Sequence, residues 1–153
     1  MSKRFRFALE PVLEHRKRIE AERQKDLAGA LLALEEAYQS LRALHEGFRK
    51  HSTILRDDHT SFDVERLRLH YAHLEFLDRA IVVAEGVVTQ RKAEVEKARH
   101  CLLDAAKEKK ALEKLKGRRQ DAHALAQTRA EQKEMDDNNA RRYARSSAGG
   151  SLL

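Results

Sequence analysis

Apolar residues recur at a spacing of seven in the stretch from residue 64 to 112. One column consists of Leu67, Leu74, Ile81, Val88, Val95 and Leu102, and a second of Leu77, Ala84, Ala98, Ala105 and Leu112. Because an α-helix needs about 3.6 residues per turn, a repeat of seven keeps one stripe against a partner only if the helices supercoil. The pattern therefore predicts a coiled-coil helix that requires a partner helix.

A second run upstream has the same spacing and can supply that partner. It contains Leu27, Leu34, Leu41, Phe48 and Leu55, with Ala30, Ala37 and Leu44 between them. Only residues 57–61 separate the two runs, and so short a connection makes neighbouring helices antiparallel. The predicted fold class is all-α: a long antiparallel two-helix coiled-coil hairpin.

The predicted helices differ in length. The first runs from about residue 8 to 56, with Pro11 in its first turn. After the turn at 57–61, the second runs from about 62 to 143, with Thr60 and Asp63 as a capping box. Residues 1–145 then form a single hairpin, and the Gly/Ser-rich residues 146–153 are expected to be a disordered tail.

Two details of register follow from this layout. The early seam of the first helix is predicted at Phe5, Leu9, Val12 and Ile19, with a shift of one residue near Arg23. A turn centred near residue 59 places the start of the first helix opposite Lys110. The second helix should therefore overhang at its C-terminal end, as an interaction arm from about residue 112 to 143.

Composition and charge restrict the function classes. The chain is 41% hydrophobic and 37% charged, contains no Trp and has one cysteine, Cys101, so a narrow seam in a reducing compartment is expected. No stretch is apolar enough to span a membrane directly. The formal net charge is +6, with basic ends and a mildly acidic middle, which is typical either of solvated helix faces or of separate partner-binding ends. Nucleic acid is not an expected partner, because the basic residues alternate with acidic ones and lack aromatic neighbours.

No catalytic, cofactor-binding or metal site is predicted. The chain has no phosphate-binding GxxxxGK[ST] loop and no HExxH motif. His70 and His73 lie one helical turn apart, but two imidazoles do not make a structural zinc site. We therefore expect neither an enzyme nor a cofactor.

Several apolar residues lie outside the seam, and two interpretations of them remain open. They flank the first stripe at Leu31, Leu32 and Tyr38, and the second at Leu69, Tyr71, Phe76, Val82, Val83 and Val87. A broadened seam or a homodimer would bury them. Alternatively, they form a docking patch for another protein.

Both ends of the chain resemble one known family. The opening FRFALEPVLEHR of residues 5–16 is similar to the N-terminal motif of the flagellar FliJ family, and LEKLKGRR at 112–119 with RAEQKEMDD at 129–137 resembles its C-terminal motif. The resemblance implies a soluble, non-enzymatic stalk of the flagellar type III protein export apparatus. Such a stalk promotes assembly of the export ATPase ring and couples it to the membrane export gate protein, with export chaperones as further candidate partners.

The resemblance also implies where those partners bind and where the protein resides. We place the ATPase contact on Arg118, Arg119, Gln132, Lys133 and Asp136, and the gate contact on Leu41, Leu44, Phe48, Leu74 and Leu77. The second set also lies on the seam, so a purely structural role is an open alternative for it. The expected location is the cytoplasm, peripherally associated with the inner membrane at the flagellar base. The alternative function is a homodimeric structural coiled coil or a secretion chaperone that binds export substrates.

Overall fold

Two long helices make up the computed structural model, which describes residues 4–57 and 63–149. Helix α1 spans Glu10–Asp57 and helix α2 spans Val64–Gly149, and the described residues contain no strand. The all-α fold class is therefore confirmed. Of the predicted turn, Asp57 is the last residue of α1, and 58–61 lie outside the described residues.

The start of each helix follows from its local sequence. The amide of Glu10 donates a hydrogen bond to the carbonyl oxygen of Phe7 at 3.1 Å, and Pro11 occupies the second position of α1, where its missing N–H is not needed. At the start of α2, the Asp63 carboxylate accepts a hydrogen bond from the amide of Val64 at 2.7 Å. Asp63 immediately precedes α2, and its carbonyl oxygen accepts the first helical hydrogen bond from the Leu67 amide at 3.0 Å, while its predicted partner Thr60 lies outside the described residues.

The chain divides into two compact units, and the larger one comprises Arg18–Ala106. Within it α1 and α2 are antiparallel, because His51 near the end of α1 contacts His70 near the start of α2, and Tyr38 contacts Lys92 further along. Among its described residues, the buried ones are Leu55, Leu77, Ile81, Val88, Val95 and Ala105. All six belong to the predicted heptad columns, so the coiled-coil seam of this unit is confirmed.

The other unit consists of residues 1–17 and 107–153. Here too the helices are antiparallel, because Arg16 forms an ion pair with Glu108 and Glu10 forms one with Lys116. Phe5, which precedes α1, contacts His123. The pairing therefore continues to His123, and the prediction that it ends opposite Lys110 is wrong.

The early seam differs from the predicted one at Val12, whereas the predicted members Phe5, Leu9 and Ile19 are half-buried. Leu13 is 1% exposed and Phe7 is buried, whereas Val12 is 42% exposed. Leu13 precedes Leu27 by two heptads, so the seam of α1 keeps one register and needs no shift near Arg23. The physical reason is that a heptad column keeps its face along a supercoiled helix, and Leu13 extends the Leu27 column while Val12 does not.

Beyond Gln127, every described residue of α2 is exposed. We call residues 118–149 the C-terminal arm. Within this unit the arm extends past the segment of α1 that packs on α2, which confirms the predicted overhang. The helix continues to Gly149 and so includes residues 146–149, which were expected in a disordered tail, while 150–153 lie outside the described residues. That residues 1–145 form a single domain stays a prediction.

Candidate partner-binding surfaces

The residues predicted to contact the ATPase all lie on the exposed part of α2. Arg118, Arg119, Gln132, Lys133 and Asp136 are all exposed. At about 100° per residue around a helix axis, they lie within an arc of about 140°. The five side chains therefore share one side of the C-terminal arm and could contact a single partner surface.

The N-terminal segment contacts the first turn of this arm. The Arg119 guanidinium lies over the Phe7 ring, 6.0 Å from its centroid, and the rings of Phe5 and His123 meet edge to face with their centroids 5.5 Å apart. Phe7 is buried, and its ring face offers the Arg119 guanidinium a cation–π contact. The sequence placed Phe5 on the seam but gave no sign that Phe7 would meet Arg119, since that pairing depends on the register between the helices.

The residues predicted to contact the gate lie between the helices of the larger unit. Leu41, Leu44, Phe48 and Leu74 are half-buried, and Leu77 is 8% exposed. All five belong to the seam, so they contribute to pairing of α1 with α2. A second protein could reach only the outer edges of the four half-buried side chains.

A more accessible apolar surface lies on the solvent face of α2. Phe76 is 65% exposed and Val83 is 67% exposed, and Leu69 and Val87 are exposed as well. Phe76, Val83 and Val87 line a groove together with smaller side chains, among them Ala37 and Ser40 of α1. The sequence had identified these apolar residues as lying outside the seam, and the structure shows that α1 does not cover them.

Three histidines meet near the start of α2. The Nδ1 atom of His70 lies 2.8 Å from the Nε2 atom of His51, and the His73 ring centroid lies 4.6 Å from that of His51. Partial burial lowers the pKa of His51 below its usual value, and the positive charges that His73 and His70 would carry lower that pKa further. The sequence had noted only His70 and His73, because the proximity of His51 depends on the helix pairing.

Residues 4–57 and 63–149 contain no group of three or more His, Cys, Asp or Glu side chains placed to hold a metal ion. Cys101 is half-buried and free. Over the same residues, neither helix carries an apolar stretch suited to crossing a bilayer.

Comparison with known proteins gives one match. A family model described as "Flagellar FliJ protein" matches residues 5–148, which is nearly the whole chain. Comparisons with curated proteins and with solved structures found no match. The matched range includes both N-terminal and C-terminal motifs on which the resemblance rested.

Proposed function

Because the chain belongs to the flagellar FliJ family, it is a component of the flagellar protein export apparatus, and we propose that it acts there as a non-enzymatic stalk. In this role it promotes assembly of the export ATPase ring and couples that ring to the membrane export gate. The observation that carries the proposal is the C-terminal arm. Its exposed face contains five residues of the family's C-terminal motif and has no helix of the same unit packed on it within the described residues.

The ATPase contact on this arm is proposed to be largely electrostatic. Arg118, Arg119 and Lys133 contribute positive charge, Asp136 a negative charge and Gln132 a polar amide, all on one side of the helix. Exposed charges of this kind steer association and set specificity. An ATPase surface with acidic residues facing the three cations would complement the arm.

Phe7 is proposed to position Arg119 for this contact. A long exposed arginine loses side-chain entropy when it binds a partner, and the Phe7 ring restricts the guanidinium in advance. The N-terminal and C-terminal motifs of the family would then act together, because one residue from each meets in this unit.

Binding to the ATPase is tested with the full chain and purified export ATPase. We expect the chain to stimulate ATP hydrolysis and ring formation, and the double substitution Arg118→Glu, Lys133→Glu to reduce the stimulation at least about tenfold through charge reversal. The double substitution Arg142→Glu, Arg145→Glu is the matched control, since both arginines are exposed on the same helix but on the side opposite that arc. Equal loss in both variants, or no stimulation by the unaltered chain, would refute this ATPase contact.

Coupling to the export gate is proposed to involve Leu41, Leu44, Phe48, Leu74 and Leu77 through the outer edges of the half-buried members. Contact with the gate would also place the chain peripherally at the inner membrane. Because these residues also hold α1 against α2, a substitution there affects stability as well as binding.

Leu41→Ala and Leu34→Ala separate the two effects. Both leucines are half-buried in the same seam, one heptad apart, so both variants should lose similar stability. Only Leu41→Ala should weaken capture of the purified cytoplasmic part of the gate protein. If Leu34→Ala weakens capture equally at matched helicity, the predicted gate residues are only structural.

A further inference from the structure

His51 and His70 connect the two helices near the end of α1 and the start of α2. Between His70 Nδ1 and His51 Nε2 the distance is 2.8 Å, which suits a hydrogen bond, and both side chains are half-buried. We call these two residues the histidine pair. The His73 ring lies beside it, with 4.6 Å between its centroid and that of His51. Three groups that titrate near neutral pH therefore meet at one place in the unit Arg18–Ala106.

The protonation state of the two rings decides whether the hydrogen bond between them can form. When both imidazoles are neutral, one ring donates its N–H and the other accepts it through an unprotonated nitrogen. One added proton keeps the bond possible, because the protonated ring donates and the neutral ring still accepts. A second proton removes the accepting nitrogen and places two positive charges against each other. The histidine pair can therefore hold the helices together with at most one added proton.

The charged and titratable groups around the histidine pair oppose that second proton. Three and four residues before and after His51, α1 has only uncharged residues. On α2, the positions one turn away from His70 and His73 contain these two histidines and the cation Arg66, and no acidic residue. Burial, followed by the charges of His73 and His70, lowers the pKa of His51. The paired state therefore takes up the second proton less readily than separated helices would.

Few apolar side chains are buried between the histidine pair and the ends of the two helices at Asp57 and Val64. Among the described residues of this unit, only Leu55 is buried there. On the other side of the pair the seam buries five side chains, which are Leu77, Ile81, Val88, Val95 and Ala105. The helix ends can therefore separate with a small loss of apolar burial, while the rest of the seam stays intact.

We propose that the histidine pair is an acid-sensitive contact, in which the second proton separates the end of α1 from the start of α2 while the rest of the unit stays paired. Above about pH 6.5 histidines of separated helices are neutral, so the closed form is favoured. As the pH falls below that value, separated histidines bind protons that the pair resists, and the open form gains. This inference does not depend on the proposed export function, because it concerns contacts within the unit Arg18–Ala106.

Distances between two spin labels test the proposal in the full chain carrying Cys101→Ser. Thr53→Cys and Arg68→Cys place one label pair across the histidine pair. Lys25→Cys and Lys97→Cys place a control label pair at the other end of the same unit, and all four positions are exposed. Between about pH 7.5 and about pH 5 we expect the first distance to lengthen and the control distance to stay unchanged.

Substitutions of single histidines identify the groups responsible. His51→Gln and His70→Gln should each abolish the pH dependence of the first distance, because neither variant can hold two positive charges in the pair. His73→Gln should reduce the lengthening without abolishing it, since one fewer charge then repels His51. His45→Gln is the matched control, because His45 is exposed on the same helix, and it should respond to acid like the unaltered chain. Circular dichroism at each pH checks that every variant remains helical.

Three results would overturn the acid-sensitive contact. The first is a distance between the labels at Thr53 and Arg68 that does not change with pH. The second is an equal lengthening of the control distance, which would mean that the whole unit unfolds. The third is a response to acid that persists in His51→Gln and in His70→Gln, since other groups would then cause the opening.

Discussion

Glu10 and Lys116 form an ion pair between the first residue of α1 and a residue more than a hundred positions later, with 2.8 Å between Glu10 Oε2 and Lys116 Nζ. The pair is half-exposed, so it contributes at most about 1 kcal/mol to stability. The ion pair shows the register of the helices, that is, which residues of α1 lie opposite which residues of α2. Together with the pair of Arg16 and Glu108, it shows how α1 and α2 are aligned in the unit of residues 1–17 and 107–153.

That alignment depends on burial of Leu13. Leu13→Ala should lower the free energy of unfolding by about 2–5 kcal/mol, because Leu13 is the most buried large side chain of the described residues. Val12→Ala, at the exposed neighbouring position, should cost less than about 1 kcal/mol. Urea denaturation measures both, and a larger effect at Val12 would restore the seam that the sequence predicted.

The seam of the larger unit should not tolerate a charge. Val95→Asp places a carboxylate where the wild-type side chain is 3% exposed, and it should cost several kcal/mol. Val82→Asp makes the same change at a position that is 63% exposed and should cost about 0.5 kcal/mol or less. Thermal melting followed by circular dichroism compares the two, and similar melting temperatures would argue against the pairing of α1 with α2.

Stability should fall as the pH drops below the usual pKa of histidine. The pKa of His51 is lowered in the folded state, so between that value and about 6.5 the unfolded chain binds more protons. The contribution of neutral His51 to the free energy of unfolding is complete above about pH 6.5 and is lost as the pH falls through the lowered pKa of His51.

Melting temperatures between about pH 5 and pH 8 measure this effect. In a plot of melting temperature against pH, His51→Gln should reduce the fall on the acidic side of the curve. His45→Gln, at an exposed position of the same helix, should leave the curve unchanged. If the melting temperature of His51→Gln still falls at acidic pH, groups other than His51 cause the loss of stability.

Gly29→Ala should stabilise the protein by up to about 1 kcal/mol. Gly29 lies within α1, its φ is not positive, and a Cβ added there would meet no atom within 4 Å. Alanine therefore gains helix propensity without a steric cost. Chemical denaturation measures the gain, and destabilisation would mean that another chain approaches this position closely.

Salt should weaken binding of the chain to the export ATPase. The cations of the C-terminal arm are exposed, and at physiological ionic strength charge interactions are screened over about 8 Å. We expect a several-fold rise in Kd between low and high sodium chloride, measured by fluorescence anisotropy. Sucrose at equal osmolality controls for the change in water activity, and an unchanged Kd in salt would exclude a charge-driven contact.

The sequence by itself determined the helices and the faces that pair. Columns such as Leu74, Ile81 and Val88 repeat every seven residues, and burial of apolar side chains requires such columns to face each other. The sequence also contained the family motifs at both ends. Local information of this kind, which lies within a few turns of one helix, can be recognised before any fold is known.

Only the tertiary structure decided the alignment between the helices. The prediction from the sequence counted residues outward from the turn and placed the start of α1 opposite Lys110. In the structure Glu10, the first residue of α1, pairs with Lys116. Neighbours that are far apart in the chain, such as Phe7 with Arg119 and His51 with His70, could not be found without that alignment. The physical reason is that sliding one helix along another by a heptad keeps the same apolar faces in contact. The choice among registers therefore depends on how individual side chains fit together across the seam.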